Sequence, residues 1–154
     1  VHTKYGTIDT AHILFIAAGA FTTSKPSDLI PELQGRFPIR EELDSLTKED
    51  LKKILLYPRN SLTKQYIALF ASEGVKLSFA DEAVEEIANF AARANEKMED
   101  IGARRLHTIM NALLEDYLFE MPDKKFKSVR ISETMVKKKL ARIIEDEDLS
   151  KYIL

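Results

Sequence analysis

Apolar positions recur at intervals of three and four residues through most of the chain after residue 46. That spacing puts them on one face of a helix, as expected for amphipathic helices packed around a core. It predicts helices between Thr47 and Pro58, between Ser61 and Gly74, over 81–97, over 103–120, and from Ser132 to Ile144. Two short segments, "VKLSF" at 75–79 and "KSVRIS" at 127–132, predict strands.

The pattern before residue 46 is different. The segment "AHILFIAAGAF", residues 11–21, is apolar without alternation, which predicts a strand over 11–17 that is buried on both faces. Residues 22–37 indicate a loop with one helical turn, and 37–43 a second short strand. A doubly buried strand needs neighbours that these residues do not supply. Either the chain oligomerises through this segment, or the rest of the sheet belongs to a longer chain, as the missing initiator methionine also suggests.

These patterns predict two parts that differ in their ability to fold independently. Residues 45–154 contain enough amphipathic helices to close a core, whereas residues 1–44 fall short of the roughly 40–60 residues and several paired elements that independent stability requires. We therefore expect a mainly α, or α+β, chain with an incomplete sheet in 1–44 and a small helical domain with a minor β element in 45–154.

Composition narrows the possible functions. With 45% hydrophobic and 31% charged residues the chain is an ordinary globular one, and its formal net charge of −2 argues against a nucleic-acid partner. It contains no cysteine, which suits a reducing cytosol, and no apolar run approaches the roughly 20 residues needed to cross a membrane. We expect a cytoplasmic protein.

Catalytic and metal-binding motifs are missing from the sequence. The three histidines share no ligand spacing, no serine lies in a G-x-S-x-G turn, and no G-x-x-x-x-G-K-[ST] loop is available to hold phosphates. No metal site is expected.

The segment "IGARRLHT", residues 101–108, places Arg104 and Arg105 in the first turn of a predicted helix. At 100° per residue, Arg104 lies about 140° from the apolar stripe of this helix, so it should not be buried. A cation opposes the helix dipole at this end, which favours a bound anion there. The alternative is that a nearby carboxylate, Glu96, Glu99 or Asp100, pairs with the arginines.

Two further segments invite a functional interpretation. Arg36 follows Gly35 in a loop and could act as an arginine finger, a guanidinium that neutralises charge on a transferring phosphoryl group; the alternative is a solvated charge or a pair with Glu32. The end of the chain, "EDEDLSKYIL", has the character of a docking peptide that fills pockets on a partner; the alternative is that it folds back on the last helix.

Taken together, "HILFIAAGAF", "KPSDLIPELQGRFPIR", "DIGARRLHT" and the terminal "DEDLSKYIL" closely resemble the HslU (ClpY) family over the whole chain. Members of this family are AAA+ unfoldases that work with the HslV peptidase in ATP-dependent proteolysis. The resemblance implies that the chain is the C-terminal third of such an ATPase, with the last strands of the large α/β domain followed by the small helical domain. Walker A, Walker B, the pore loop and the inserted domain would precede it.

The resemblance also implies roles for individual residues. Glu32 matches a nucleotide-contacting position, and Arg36 matches the arginine finger that serves ATP in the neighbouring subunit. Arg104 matches the sensor-2 arginine, which contacts the nucleotide of its own subunit. The peptide that inserts between HslV subunits is matched by Leu149, Ser150, Lys151, Tyr152, Ile153 and Leu154.

The chain departs from the family pattern at a few positions. Glu41 replaces an apolar residue, which is unfavourable for packing of the predicted strand 37–43. Ala18 replaces a small polar residue, so no sensor-1 hydrogen bond is expected. Lys151 and Tyr152 replace a usual Arg and Phe, which should preserve docking.

If the resemblance holds, the complete protein uses ATP/ADP with Mg²⁺, forms a hexameric ring, acts on protein substrates and has an HslV-like peptidase as partner, without nucleic acid or membrane. This chain alone should bind no nucleotide tightly and hydrolyse no ATP. The alternative is a non-enzymatic helical module that docks on a partner through its tail. A nucleic-acid motor is disfavoured by the net charge and by the lack of a basic, aromatic-interleaved stripe.

Overall fold

A computed structural model of the chain describes residues 1–21, 23–121 and 127–145, with side chains as far as residue 141. The predicted docking peptide, residues 149–154, therefore lies outside the described residues. Internal contacts divide the chain into two units, Val1–Leu43 and Asp44–Leu154. The division falls one residue from the predicted domain boundary.

The first unit contains little regular structure. Strands β1 (His2–Thr3) and β2 (Gly6–Thr7) form an antiparallel hairpin. A single 3₁₀ turn, Pro26–Asp28, precedes helix α1 (Pro31–Arg36), which begins with a proline in its first turn. The helical turn predicted within 22–37 is thus present.

The strands predicted over 11–17 and 37–43 are not formed, and that prediction is wrong for the structure. Residues 11–21 have no regular secondary structure, and Leu14 and Ile16 are 83% and 86% exposed. An apolar strand of this kind is stable only when its backbone pairs with neighbours and both of its faces are covered. Among the described residues of the first unit, only β1 and β2 are paired strands, each two residues long.

The second unit has the predicted helical architecture. Its helices are α2 (Lys48–Leu56), α3 (Leu62–Ser72), α4 (Asp81–Lys97), α5 (Arg104–Glu120) and α6 (Glu133–Glu145). Strands β3 (Lys76–Phe79) and β4 (Ser128–Ile131) pair in parallel, with Leu77 opposite Val129. All five predicted helices and both predicted strands of this region are confirmed.

Helix α4 lies at the centre of this unit and packs against α2, α5 and α6, while α3 packs on β3. Apart from Arg105, the largest fully buried side chains of this unit are apolar and include Phe70, Leu55, Ile87, Ile109 and Leu114. Complete burial of such a side chain stabilises the fold by roughly 1.5–3 kcal/mol. None of the helices within the described ranges is long and apolar enough to cross a membrane.

The start of α2 is fixed by the capping box that the sequence predicts. The Thr47 hydroxyl oxygen accepts a hydrogen bond from the Asp50 N–H at 3.2 Å, and the Asp50 carboxylate accepts from the Thr47 hydroxyl at 2.6 Å. Across the surface, Glu85 of α4 pairs with Lys48 and Lys52 of α2, at 2.7 and 3.3 Å. These exposed pairs contribute little individually.

Replacing the capping hydroxyl should destabilise the second unit measurably. We expect Thr47→Ala to lower the free energy of unfolding by about 1 kcal/mol, because an N–H in the first turn loses its acceptor. Thr47→Ser retains the hydroxyl and serves as the matched control, with a much smaller loss. The measurement is urea unfolding followed by circular dichroism, and equal losses in the two variants would contradict the capping role.

The same box predicts a pH dependence. Hydrogen bonds from Thr47 and Lys53 lower the pKa of Asp50. The folded pKa of Asp50 therefore lies below its unfolded value of about 4. The ionised Asp50 carboxylate stabilises the folded state fully above about pH 4, and this contribution is lost as the pH falls through the folded pKa. Urea unfolding should therefore find Asp50→Asn less stable than wild type near neutral pH, with the two converging in acid. A difference that stays constant with pH would exclude ionisation of Asp50 as its source.

Candidate functional site

The corner between α4 and α5 carries the two arginines that the sequence singles out. Gly102 adopts φ of +58°, in the left-handed region that glycine accommodates readily, and its N–H donates to Asp100 Oδ1 at 2.8 Å. Helix α5 then begins at Arg104 without a side-chain cap and without an acidic residue in its first turn. This helix end therefore has neither of the usual local devices that offset its positive dipole.

Arg104 is exposed at this helix end, as predicted. Its backbone is engaged, since its N–H donates to the Ile101 carbonyl at 3.3 Å and its carbonyl accepts from the Thr108 hydroxyl at 3.4 Å. Among the residues that the structure describes, its guanidinium has no hydrogen-bond or ion-pair partner. The alternative in which a neighbouring carboxylate pairs with Arg104 is not observed, and the cation is available for a ligand.

Arg105 has the opposite environment and is only 2% exposed. Its Nε donates to Asn95 Oδ1 at 3.1 Å, and its Nη2 donates to the Glu99 carbonyl at 2.5 Å. Burial lowers the pKa of Arg105, while the charges of Asp100 and Glu99 act in the opposite direction. A guanidinium remains protonated under such conditions. It is therefore a structural cation inside the corner.

The sequence contained a signal for the burial of Arg105. It lies four residues before Ile109, and so on the same face of α5 as the apolar stripe. Asn95, its partner, follows the buried Ala91 by four residues on α4 and is 8% exposed. Both polar residues could have been assigned to the core side by the helical period, but not paired with each other.

Beside the corner is an open groove of about 380 Å³. Its lining carries both signs of charge: Ser45, Leu46, Thr47, Lys48, Asn89, Ala92, Arg93, Asn95, Glu96 and Asp100. The pKa of Asp100 is lowered, chiefly by a hydrogen bond with Ser45 and then by the N–H of Gly102. In the described part of the chain no buried side-chain nitrogen or oxygen lacks a hydrogen-bond partner. The groove therefore does not by itself specify a ligand.

Arg36 and Glu32 belong to the first unit, where both are exposed on α1. Within the described ranges no ion pair joins them, so the alternative in which Glu32 neutralises Arg36 is not observed. The neighbouring Arg40 differs, because its Nη2 donates to Gln34 Oε1 at 3.2 Å. Arg36 thus presents a cation at the end of a short helix.

The three histidines are all exposed. His2 Nδ1 shares a hydrogen bond with the Thr7 hydroxyl at 2.9 Å, and His12 and His107 are exposed. A search of the described residues finds no group of three or more His, Cys, Asp or Glu side chains that could hold a metal ion.

Comparison with known proteins gives two independent matches. The family model "AAA domain (Cdc48 subfamily)" matches residues 1–40, and the model "C-terminal, D2-small domain, of ClpB protein" matches residues 46–132. The boundary between the two matches coincides with the boundary between the structural units.

The chain is also similar to curated proteins along its whole length. It is 61% identical over 154 residues to the ATP-dependent protease ATPase subunit HslU of Persephonella marina, covering 34% of that protein. The HslU subunits of Syntrophomonas wolfei and Listeria monocytogenes are 61% and 58% identical, again over the whole chain and 33% of their own length. The chain thus spans about a third of the curated relatives it matches. Because the second family model covers more than half of its residues, the chain belongs to the family of the C-terminal D2-small domains of ClpB proteins.

Proposed function

We propose that this chain is the C-terminal portion of an HslU-like ATPase subunit, which couples ATP hydrolysis in a ring to the unfolding of protein substrates. Identity of 58–61% across all 154 residues supports this assignment. In the complete protein the subunit works in the cytoplasm as a hexamer, uses ATP/ADP with Mg²⁺ and activates an HslV-like peptidase. The chain alone lacks a phosphate-binding loop and should hydrolyse no ATP.

The observation that carries the proposal is the exposed guanidinium of Arg104 at the start of α5, which has no side-chain partner among the residues that the structure describes. A cation that faces the positive end of a helix dipole costs roughly 0.3–1 kcal/mol. A bound phosphate reverses that cost, because it accepts charge-assisted hydrogen bonds from the guanidinium and its negative charge is stabilised by the positive end of the helix dipole. We assign Arg104 to the nucleotide of its own subunit.

Arg36 is assigned to a different nucleotide. It lies in the last turn of α1 with its guanidinium exposed, and we propose that it stabilises the transition state on ATP bound to the neighbouring subunit. Glu32, one turn earlier on the same helix, is proposed to contact nucleotide as well. The segment Leu149–Leu154 is proposed to dock on the peptidase.

The test of the assignment is removal of the Arg104 guanidinium in the full-length protein. We expect Arg104→Ala to weaken ATP binding about 10–100-fold, because it removes a charge-assisted hydrogen bond of roughly 1.5–3 kcal/mol. Arg59→Ala is the matched control, since Arg59 is also exposed but lies between α2 and α3. Binding is measured by titration with a fluorescent ATP analogue. Unchanged affinity in Arg104→Ala would refute the assignment.

Arg36→Ala should separate binding from hydrolysis in the same full-length protein. We expect kcat for ATP to fall by about 10³-fold or more, the magnitude typical of an arginine finger, with nucleotide affinity nearly unchanged. Arg40→Ala is the control in the same unit, because Arg40 already has Gln34 as a partner. Steady-state hydrolysis and equilibrium binding are measured in parallel. A large loss of affinity in Arg36→Ala would contradict a role confined to the transition state.

A further inference from the structure

Asn95, Arg105 and the Gly102 carbonyl form one connected hydrogen-bond network at the α4–α5 corner. Asn95 accepts from Arg105 Nε through Oδ1 and donates to the Gly102 carbonyl through Nδ2, at 3.1 and 3.2 Å. The same Gly102 carbonyl also accepts from the Arg105 backbone N–H at 3.3 Å. The Gly102 carbonyl therefore accepts from a side chain of α4 and from the backbone of the first turn of α5.

The network acts on the residues immediately around Arg104. Gly102 lies two positions before Arg104 and Arg105 one position after it, so both flanking points are fixed to α4. The second arm of Arg105 reaches the Glu99 carbonyl, which attaches the connecting segment to the same guanidinium. The first turn of α5 is therefore held at a defined position relative to the end of α4.

Packing alone does not account for a buried guanidinium at this position. Burying a charge is unfavourable unless it is fully hydrogen-bonded, and an apolar side chain of similar size would fill the same space without that cost. What an apolar side chain cannot do is hold the Glu99 carbonyl and the Asn95 side-chain amide in fixed directions. The rigid fork of arginine does this, and the single ammonium of lysine does not.

We propose that Asn95 and Arg105 are positioning residues that fix the orientation of Arg104 toward the phosphates. The inference rests on the proposed function, in which Arg104 contacts nucleotide. It adds that the affinity due to Arg104 depends on a preformed corner, since a displacement of about 1 Å at a binding group is costly. Asn95 and Arg105 themselves touch no ligand.

The experiment is a double-mutant cycle in the full-length ATPase, with ATP affinity as the readout. We expect Asn95→Ala to weaken ATP binding about tenfold in the wild-type background and to have almost no effect once Arg104→Ala is present. The loss of thermal stability caused by Asn95→Ala should be the same in both backgrounds, because it does not pass through Arg104. This contrast separates positioning from a purely structural contribution.

Tyr66→Phe is the matched control for the cycle. The Tyr66 hydroxyl donates to Asn111 and so joins α3 to α5 through a hydrogen bond far from the first turn of α5. Its removal should cost stability without changing ATP affinity in either background. If Asn95→Ala prevents folding or ring assembly, Arg105→Lys replaces it, because lysine keeps the positive charge but cannot bond Asn95 and Glu99 together.

Two results would overturn the inference, and they are distinguishable from failure of the proposed function. The first is a tenfold loss from Asn95→Ala, or from Arg105→Lys, that persists in the Arg104→Ala background. The second is no loss from these variants where Arg104→Ala alone weakens binding. An Arg104→Ala single variant with unchanged ATP affinity would instead refute the nucleotide role of Arg104, and with it any need to position that residue.

Discussion

The apolar face of α4 is the constraint on which the second unit depends. This helix packs against α2, α5 and α6, and its fully buried Ile87, Ala88 and Ala91 lie between them. Small residues at two of these positions let neighbouring helices approach closely, which fixes their relative positions through packing at near-crystalline density. The corner that carries Arg104 begins where α4 ends, so its position is fixed by the same packing.

At its C-terminal end the same helix changes from apolar packing to polar bonding. Asn95 follows Ala91 on the buried face, and there the core contains a guanidinium rather than an aliphatic side chain. The arrangement is stable because Nε and Nη2 both have acceptors and because Asp100 and Glu99 favour the charged form of Arg105. The two adjacent arginines thus differ: Arg105 is buried and hydrogen-bonded within the corner, whereas the guanidinium of Arg104 is exposed to solvent.

Periodicity predicted the second unit well because its helices bury their apolar faces within the same chain. The capping box at Thr47 and the exposure of Arg104 followed from local rules alone. The sequence could not pair Asn95 with Arg105, since that contact depends on how α4 and α5 cross in space. The prediction of a buried strand over 11–17 was wrong, because the residues of the first unit do not cover apolar side chains such as Leu14 and Ile16.

That failure has a physical consequence for the first unit. Leaving apolar surface exposed to water is unfavourable by about 25 cal/mol for each Å². Large exposed apolar patches mark surfaces that bind other protein segments. The chain spans about a third of the curated relatives it matches, so in the proposed complete protein other residues would cover this surface. In the proposed complete protein, α1 would then be supported by a sheet. Under the proposed function, that support would also fix the position of Arg36.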